Sequence, residues 1–109
     1  MIIAVIKMEK IFYNGNFPYS DTGHDALYIR NGFLIESGYL NKLKAAHPAS
    51  VMMDLNRAFM LPGAVPSGAK EGEIPADMLV LSGDPFKCED TAKIKILQIY
   101  KNGEPQLNS

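Results

Sequence analysis

The chain has 109 residues, which is the length of one domain rather than two. Lys and Arg number 11 and Asp and Glu number 12, so the net charge is −1. This balance argues against general nucleic-acid binding and against a polybasic membrane-surface module, because both need a basic face. The single Cys cannot form an internal disulfide, and two His are few for a metal hydrolase.

The N-terminal residues 1–6 are apolar, with no basic residue before them, and Lys7, Glu9 and Lys10 follow at once. A signal peptide needs a longer apolar stretch after a positive end, and a membrane helix needs about 20 apolar residues. The segment therefore predicts a buried β-strand. The expected compartment is the cytoplasm, where a lone thiol stays reduced.

Turn signals separate the apolar runs that follow. Asn14-Gly15, Asn31-Gly32 and Asn102-Gly103 each lie between such runs. Asn and Gly best tolerate the positive φ of both central residues in a type I′ turn, so all three pairs predict hairpin tips.

The middle tip predicts a hairpin with four cross-strand pairs: Arg30–Phe33, Ile29–Leu34, Tyr28–Ile35 and Leu27–Glu36. One face then carries the core residues Leu27, Ile29 and Leu34. The other face carries Tyr28, Arg30, Phe33 and Ile35, which is more apolar than a solvated face requires. We expect that second face to pack against something.

One short helix and several further strands complete the prediction. Residues 39–47 favour a helix, because Leu40, Leu43 and Ala46 recur at helical spacing before Pro48. Residues 51–55 and 59–61 predict strands around a turn at Asn56-Arg57, and residues 78–81 and 94–100 predict two more. The fold class is mainly β, a sandwich or barrel with one short helix.

A stretch rich in Pro and Gly divides the chain. Residues 64–75 read as a linker between an N-terminal segment, 1–63, and a C-terminal segment, 76–109. The second segment has too few strands to hide both faces of a sheet. We therefore expect the two segments to build one composite β domain over residues 1–109.

Both segments resemble the two ends of the amidohydrolase-type metal-dependent hydrolases. That family opens with strands, Asn-Gly and Asp/Asn-Gly turns, a short helix and a strand running into Leu-Pro-Gly, matched here by residues 11–15, 26–32, 34–38, 39–46 and 51–63. Its closing motif is matched by GEIPADMLVLSGDP over residues 72–85 and by a last hairpin around Asn102-Gly103. Pro75 departs from the family's Lys-containing spacer.

The resemblance also shows what is missing. In the family, Leu-Pro-Gly leads into a strand ending in His-x-His, and a (β/α)₈ barrel of roughly 250 residues follows. Here Pro62-Gly63 is followed by Ala64-Val65-Pro66-Ser67-Gly68, with no His. The resemblance thus implies the small composite β domain of such an enzyme, truncated by design or by natural deletion. The parent would use a divalent metal such as zinc, held by the missing barrel, to hydrolyse C–N bonds of amides or cyclic amides, or to deaminate.

The polar residues offer weak candidates for a site. His24 could pair with Asp21 or Asp25 at a metal, but a hairpin loop in which Asp caps its own backbone is the better interpretation. His47 is expected to interact with the carbonyls at the end of the helix. Cys88 is followed by two carboxylates, those of Glu89 and Asp90, and their negative charge disfavours the reactive thiolate of Cys88.

The remaining acidic residues have structural explanations. Asp77 is expected to hydrogen-bond backbone where a strand begins, and Asp84-Pro85 to form a turn. Glu71 and Glu73 lie in the linker, without the rigid surroundings that an acid–base pair needs.

The sequence therefore predicts no catalytic, cofactor-binding or metal-binding residue in this chain. The leading hypothesis is a non-catalytic composite domain whose partner is the missing barrel, with no nucleic-acid or membrane partner. The alternative is an autonomous binding or dimerisation module, in which the apolar face of Tyr28, Phe33 and Ile35 is exposed and forms a homodimer. A small enzyme using His24 or Cys88 is a weaker third hypothesis.

Overall fold

The computed structural model describes residues 9–17, 23–62, 73–87 and 90–106. Its elements in chain order are β1 (Glu9–Tyr13), β2 (Ala26–Arg30), β3 (Phe33–Gly38), α1 (Leu40–Ala46), β4 (Val51–Asp54), β5 (Phe59–Pro62), β6 (Ile74–Pro75), β7 (Met78–Leu81), a 3₁₀ turn (Thr91–Lys93), β8 (Ile96–Lys101) and β9 (Glu104–Pro105). The strand predicted over residues 1–6 lies outside the described residues.

The described strands form two sheets. The first has the order β4-β1-β2-β3-β6 and the second the order β5-β7-β8-β9. Neighbouring strands are antiparallel throughout except for the parallel pair β1 and β4. The predicted mainly β, sandwich-like class with one short helix is confirmed.

The main core lies between the two sheets. Strands β1 and β2 contribute Phe12, Leu27 and Ile29, and strands β5 and β7 contribute residues such as Met60 and Val80. The rings of Phe12 and Tyr100 meet edge to face across this space, with centroids 4.9 Å apart. The alternation of strand side chains delivers one apolar stripe from each sheet to this layer.

A smaller core fills the outer face of the first sheet. Ile11, Ala26 and Tyr28 point away from the second sheet and are covered by Leu43 of α1, with Ile35 and Leu40 packed at the margin. The predicted packing of this hairpin face is thus confirmed for Tyr28 and Ile35 but not for Arg30 and Phe33, which are exposed. The exposure predicted under the alternative hypothesis is wrong for Tyr28, which is 0% exposed. A seven-residue helix gains its stability from this contact, since so short a helix is unstable alone.

Two of the three predicted Asn-Gly tips have the expected geometry. Asn31 and Gly32 both have positive φ, as do Asn102 and Gly103, and each pair joins adjacent antiparallel strands. The prediction of a hairpin tip at Asn14-Gly15 is wrong. Only Asn14 has positive φ, and Asn16 then bridges to Phe59 of the second sheet.

Gly15 is needed because the backbone at this position packs closely against Leu55, and not because the chain reverses in a hairpin. A Cβ at this position would collide with the side chain of Leu55. The predicted turn at Asn56-Arg57 is confirmed, with positive φ at both residues, and it carries the chain from β4 in one sheet to β5 in the other.

The register of the middle hairpin also differs in part from the prediction. Arg30 lies opposite Phe33 and Ile29 opposite Leu34, as expected, but Tyr28 lies opposite Glu36 rather than Ile35. A β-bulge after Leu34 inserts the extra residue. Leu34 and Ile35 still pack on the faces predicted for them, the inner and the outer core respectively, and the bulge instead brings Glu36 opposite Tyr28.

The predicted linker is partly strand. Ile74 and Pro75, at the end of the predicted 64–75 linker, form β6 and pair with Leu34 and Phe33 of β3. The last long strand begins at Ile96 rather than at residue 94. Of the helices in the described part of the chain, none has the length and apolarity to cross a membrane.

Candidate functional site

The most elaborate group of titratable side chains lies where α1 ends against the first sheet. The His47 ring stacks on the Tyr28 ring, with centroids 3.6 Å apart and planes 5° from parallel. Nε2 of His47 is 3.1 Å from Oε1 of Glu36, and the Tyr28 hydroxyl donates to Oε1 of Glu9 at 2.8 Å. This group, the Tyr28–His47 cluster, joins residues of β1, β2, β3 and the helix end.

Burial, and then the hydrogen bond and negative charge of Glu9, raise the pKa of the Tyr28 hydroxyl above its ordinary value. The hydroxyl therefore stays protonated near neutral pH, as the donor to Glu9. Since Tyr28 is fully buried and its hydroxyl is already bonded, the arrangement attaches the helix end to the sheet and offers no reacting group to a substrate.

The prediction for His47 is corrected by this geometry. Its side chain contacts Glu36 and Tyr28 rather than the helix carbonyls. The link between His47 and the carbonyl of Leu43 is made by the His47 backbone N–H.

His24 and Asp25 support the local structure at the start of α1, the opposite end of the helix from His47. Nδ1 of His24 lies 2.8 Å from the Ser37 hydroxyl, and its ring meets Tyr39 edge to face at 5.1 Å. Oδ1 of Asp25 accepts the N–H of Leu40, the first residue of α1, at 3.1 Å. Asp25 therefore caps the helix start rather than its own loop, which corrects the predicted pattern.

Asp77 helps to join the two Asn-Gly tips. Its carboxylate accepts the N–H of Asn102 at 2.9 Å, so it supports backbone as predicted, but in the neighbouring hairpin. Between the tips, the N–H of Ala76 donates to the carbonyl of Gly32 and the carbonyl of Ala76 accepts the N–H of Gly103. A Cβ on Gly32 would lie 2.9 Å from the Asn102 carbonyl oxygen, so the two turns fit only as glycines.

Lys10 completes this junction from within the core. Its Nζ donates to the Gly103 carbonyl at 2.7 Å and to Glu104 Oε1 at 3.0 Å, and the residue is 8% exposed. A buried ammonium is stable only with such partners. Lys10 was not among the residues predicted to have a role. The signal was there, because strand alternation places it on the same face as Phe12.

The other candidates are turn residues or lie outside the described residues. Asp84 accepts the N–H of Phe86, and Asp90 accepts the N–H of Ala92. Asp21, Glu71, Cys88 and Glu89 lie outside the described residues. Within the described ranges, no three His, Cys, Asp or Glu side chains are grouped so that they could hold a metal ion.

A pocket of about 260 Å³ lies at one end of the second sheet. Its lining is mainly apolar, with residues from β5, β7 and β8 that include Pro62, Leu79, Ile99 and Tyr100, and with Lys101 and Gln106 at polar positions. Burial raises the pKa of the Tyr100 hydroxyl. The pocket contains no paired acid and base, since its one carboxylate, Asp77, already bonds Asn102.

Comparison of the chain with protein-family models, with curated proteins and with solved structures gave no match.

Proposed function

We propose that this chain is the non-catalytic composite β domain of an amidohydrolase-type metal-dependent hydrolase. The parent would hydrolyse C–N bonds of amides or cyclic amides, or deaminate. The proposal begins from the motifs of the two segments and from the place between them, after Pro62-Gly63, where the family has its barrel.

One structural observation carries the proposal. Strand β5, before the interruption, pairs with β7 after it, and β6, after the interruption, pairs with β3 before it. Each sheet therefore contains strands from both sides of residues 63–72. A barrel inserted in this interval would leave the strands on either side of it paired in the same two sheets, which is the arrangement expected of a domain interrupted by a barrel.

The described residues do not fit a catalytic metal. A catalytic zinc needs three protein ligands that converge on one position, and no such group exists among them. His24 is hydrogen-bonded to Ser37 and His47 to Glu36. We therefore expect purified protein to retain no stoichiometric zinc and to hydrolyse no simple amide. Bound metal together with turnover would contradict the proposal.

Domain insertion tests the architecture directly. A small, stable protein whose termini lie close together, inserted between Ser67 and Gly68, is expected to leave the urea midpoint of the β domain nearly unchanged. Closure entropy rises slowly with loop length, so an interruption at the natural position costs little.

The matched control places the same insert between Asn31 and Gly32. That tip packs against Asn102 and accepts the Ala76 N–H, so we expect this insertion to destabilise or unfold the domain. Equal damage at the two positions would show that residues 63–72 are not a natural interruption.

The alternative, a dimerisation module using Tyr28, Phe33 and Ile35, gains no support from this face. Tyr28 is covered by α1 and His47, and of the three only Phe33 is exposed. A different surface of the first sheet is better suited to self-association.

A further inference from the structure

The four sheet edges of the described structure are protected unequally. Three of the edge strands contain a proline: Pro62 in β5, Pro75 in β6 and Pro105 in β9. Proline has no N–H to offer to a further strand, and natural proteins use it to block sheet edges. The fourth edge strand, β4, has the sequence Val-Met-Met-Asp and no proline, lysine or bulge.

Strand β4 is also apolar and exposed. Val51 is 55% and Met52 36% exposed, and among the described strands β4 pairs with β1 alone. The edge of β5, by contrast, is partly occupied, since Asn16 accepts the N–H of Met60. An exposed, mainly apolar edge without a blocking proline is a template for another strand, even when it is short.

The hydrogen bond made just after β4 shows which backbone groups of the strand point toward β1 and which point outward. The N–H of Leu55 donates to the Tyr13 carbonyl of β1, so by alternation Met53 and Val51 also direct their backbone groups toward β1. The backbone N–H and C=O of Met52 and Asp54 then point outward, where a new strand would bind.

We propose that the β4 edge binds a second copy of this chain by antiparallel β4–β4 pairing about a two-fold axis, with Met52 opposite the partner's Met52. The first sheets of both copies would form one continuous sheet. This inference does not depend on the relationship to a hydrolase.

Self-complementarity is the reason to assign a second copy to this edge. A two-fold axis at Met52 makes Met52 and the partner's Met52 a hydrogen-bonded pair, as the outward backbone requires. It also places Val51 opposite the partner's Met53, so every central contact is apolar. Centring the pair on Met53 would place Met52 against the partner's charged Asp54. No like charges meet in the proposed register, and a net charge of −1 opposes association little.

The contact is small. Stable interfaces bury about 1,200–2,000 Å², more than two four-residue strands supply. We therefore expect a dimer that forms at micromolar or higher concentration, visible as a rising mass-average in sedimentation equilibrium.

The decisive experiment exchanges charges at the two-fold axis. Met52→Lys and Met52→Glu are each expected to weaken dimerisation at least about tenfold, because like charges lie directly opposite one another. Mixing the two variants should restore a dimer, since Lys then faces Glu. Ile96→Lys, at a more exposed position of the second sheet, is the control and should leave the dimer intact.

A cross-link provides a second measurement on the folded protein. In a Cys88→Ser background, Met52→Cys should form an intermolecular disulfide on mild oxidation, because hydrogen-bonded antiparallel pairs have Cα atoms about 5.5 Å apart. Leu97→Cys, which is more exposed, should cross-link far less. A monomer at every concentration, a mixture that does not dimerise, or equal cross-linking at both positions would overturn the proposal.

Discussion

The outer faces of the two sheets are both apolar, yet they differ in what covers them. On the first sheet, Ile11, Ala26 and Tyr28 are sealed by α1 and by the ring of His47. On the second sheet, Leu79 and Ile99 lie opposite each other on β7 and β8, half-buried, and line the pocket. An apolar strand pattern therefore specifies a face to be buried but not the element that buries it.

The largest expected effect is on the covered face. Leu43→Ala removes the helix residue that is buried against the first sheet and leaves a cavity there. We expect a loss of about 2–5 kcal/mol in the free energy of unfolding, measured by urea denaturation. The matched control, Leu97→Ala on the second sheet, removes a 51% exposed side chain and should cost less than about 0.5 kcal/mol. Similar losses would show that the two positions are equally buried in solution.

A medium effect is expected where the two sheets are joined. Lys10→Met keeps the side-chain length but leaves the Gly103 carbonyl without the 2.7 Å bond that it accepts from Lys10. We expect a loss of about 1–3 kcal/mol. Glu104→Gln changes only the exposed partner of Lys10 and should cost less than about 1 kcal/mol. If Lys10→Met were neutral, the junction of the Asn-Gly tips would not depend on the buried ammonium.

The smallest expected effect is a difference in the pH at which tyrosines ionise, and it is seen only at alkaline pH. Because the pKa values of Tyr28 and Tyr100 are raised, two of the five tyrosines should ionise at higher pH than an ordinary tyrosine in an ultraviolet titration. A folded-state pKa above the unfolded value of 10.0 gives stability that is fully present below pH 10. That stability is lost as the pH rises through the folded-state pKa.

Tyr28→Phe is the control for this titration. It should remove one late-ionising group and reduce the alkaline loss of stability, while Tyr100→Phe removes the other. A late-ionising signal unchanged in Tyr28→Phe would show that Tyr28 is accessible to solvent, and that α1 does not seal the first sheet as described.

Local chemistry was enough to predict much of this fold. The type I′ tips at Asn31-Gly32 and Asn102-Gly103, the helix around Leu43 and the inner stripe of Leu27, Ile29 and Leu34 all followed from the sequence. These features depend on neighbouring residues, since a turn type needs only its central pair and a stripe only the period of the strand.

The errors involve contacts with distant residues. Asn14-Gly15 has the sequence of a hairpin tip, but packing of Gly15 on Leu55 and pairing of Asn16 with Phe59 use it differently. The bulge at Ile35 brings Glu36 rather than Ile35 opposite Tyr28, and Glu36 Oε1 then lies 3.1 Å from Nε2 of His47. Nothing in the sequence near Tyr28 indicates that His47 stacks on it, because that contact exists only after the helix has packed.

By itself, the sequence determined most of the strands, the position of the short helix and which faces are apolar, because alternation and turn chemistry are encoded within a few residues. Only the tertiary structure decided which strands lie at the sheet edges, how Lys10 is paired between the sheets, and that β4 is, among the described strands, the edge strand without a proline. Those outcomes depend on the spatial order of the strands within each sheet, and that order is set by packing between residues far apart in the chain.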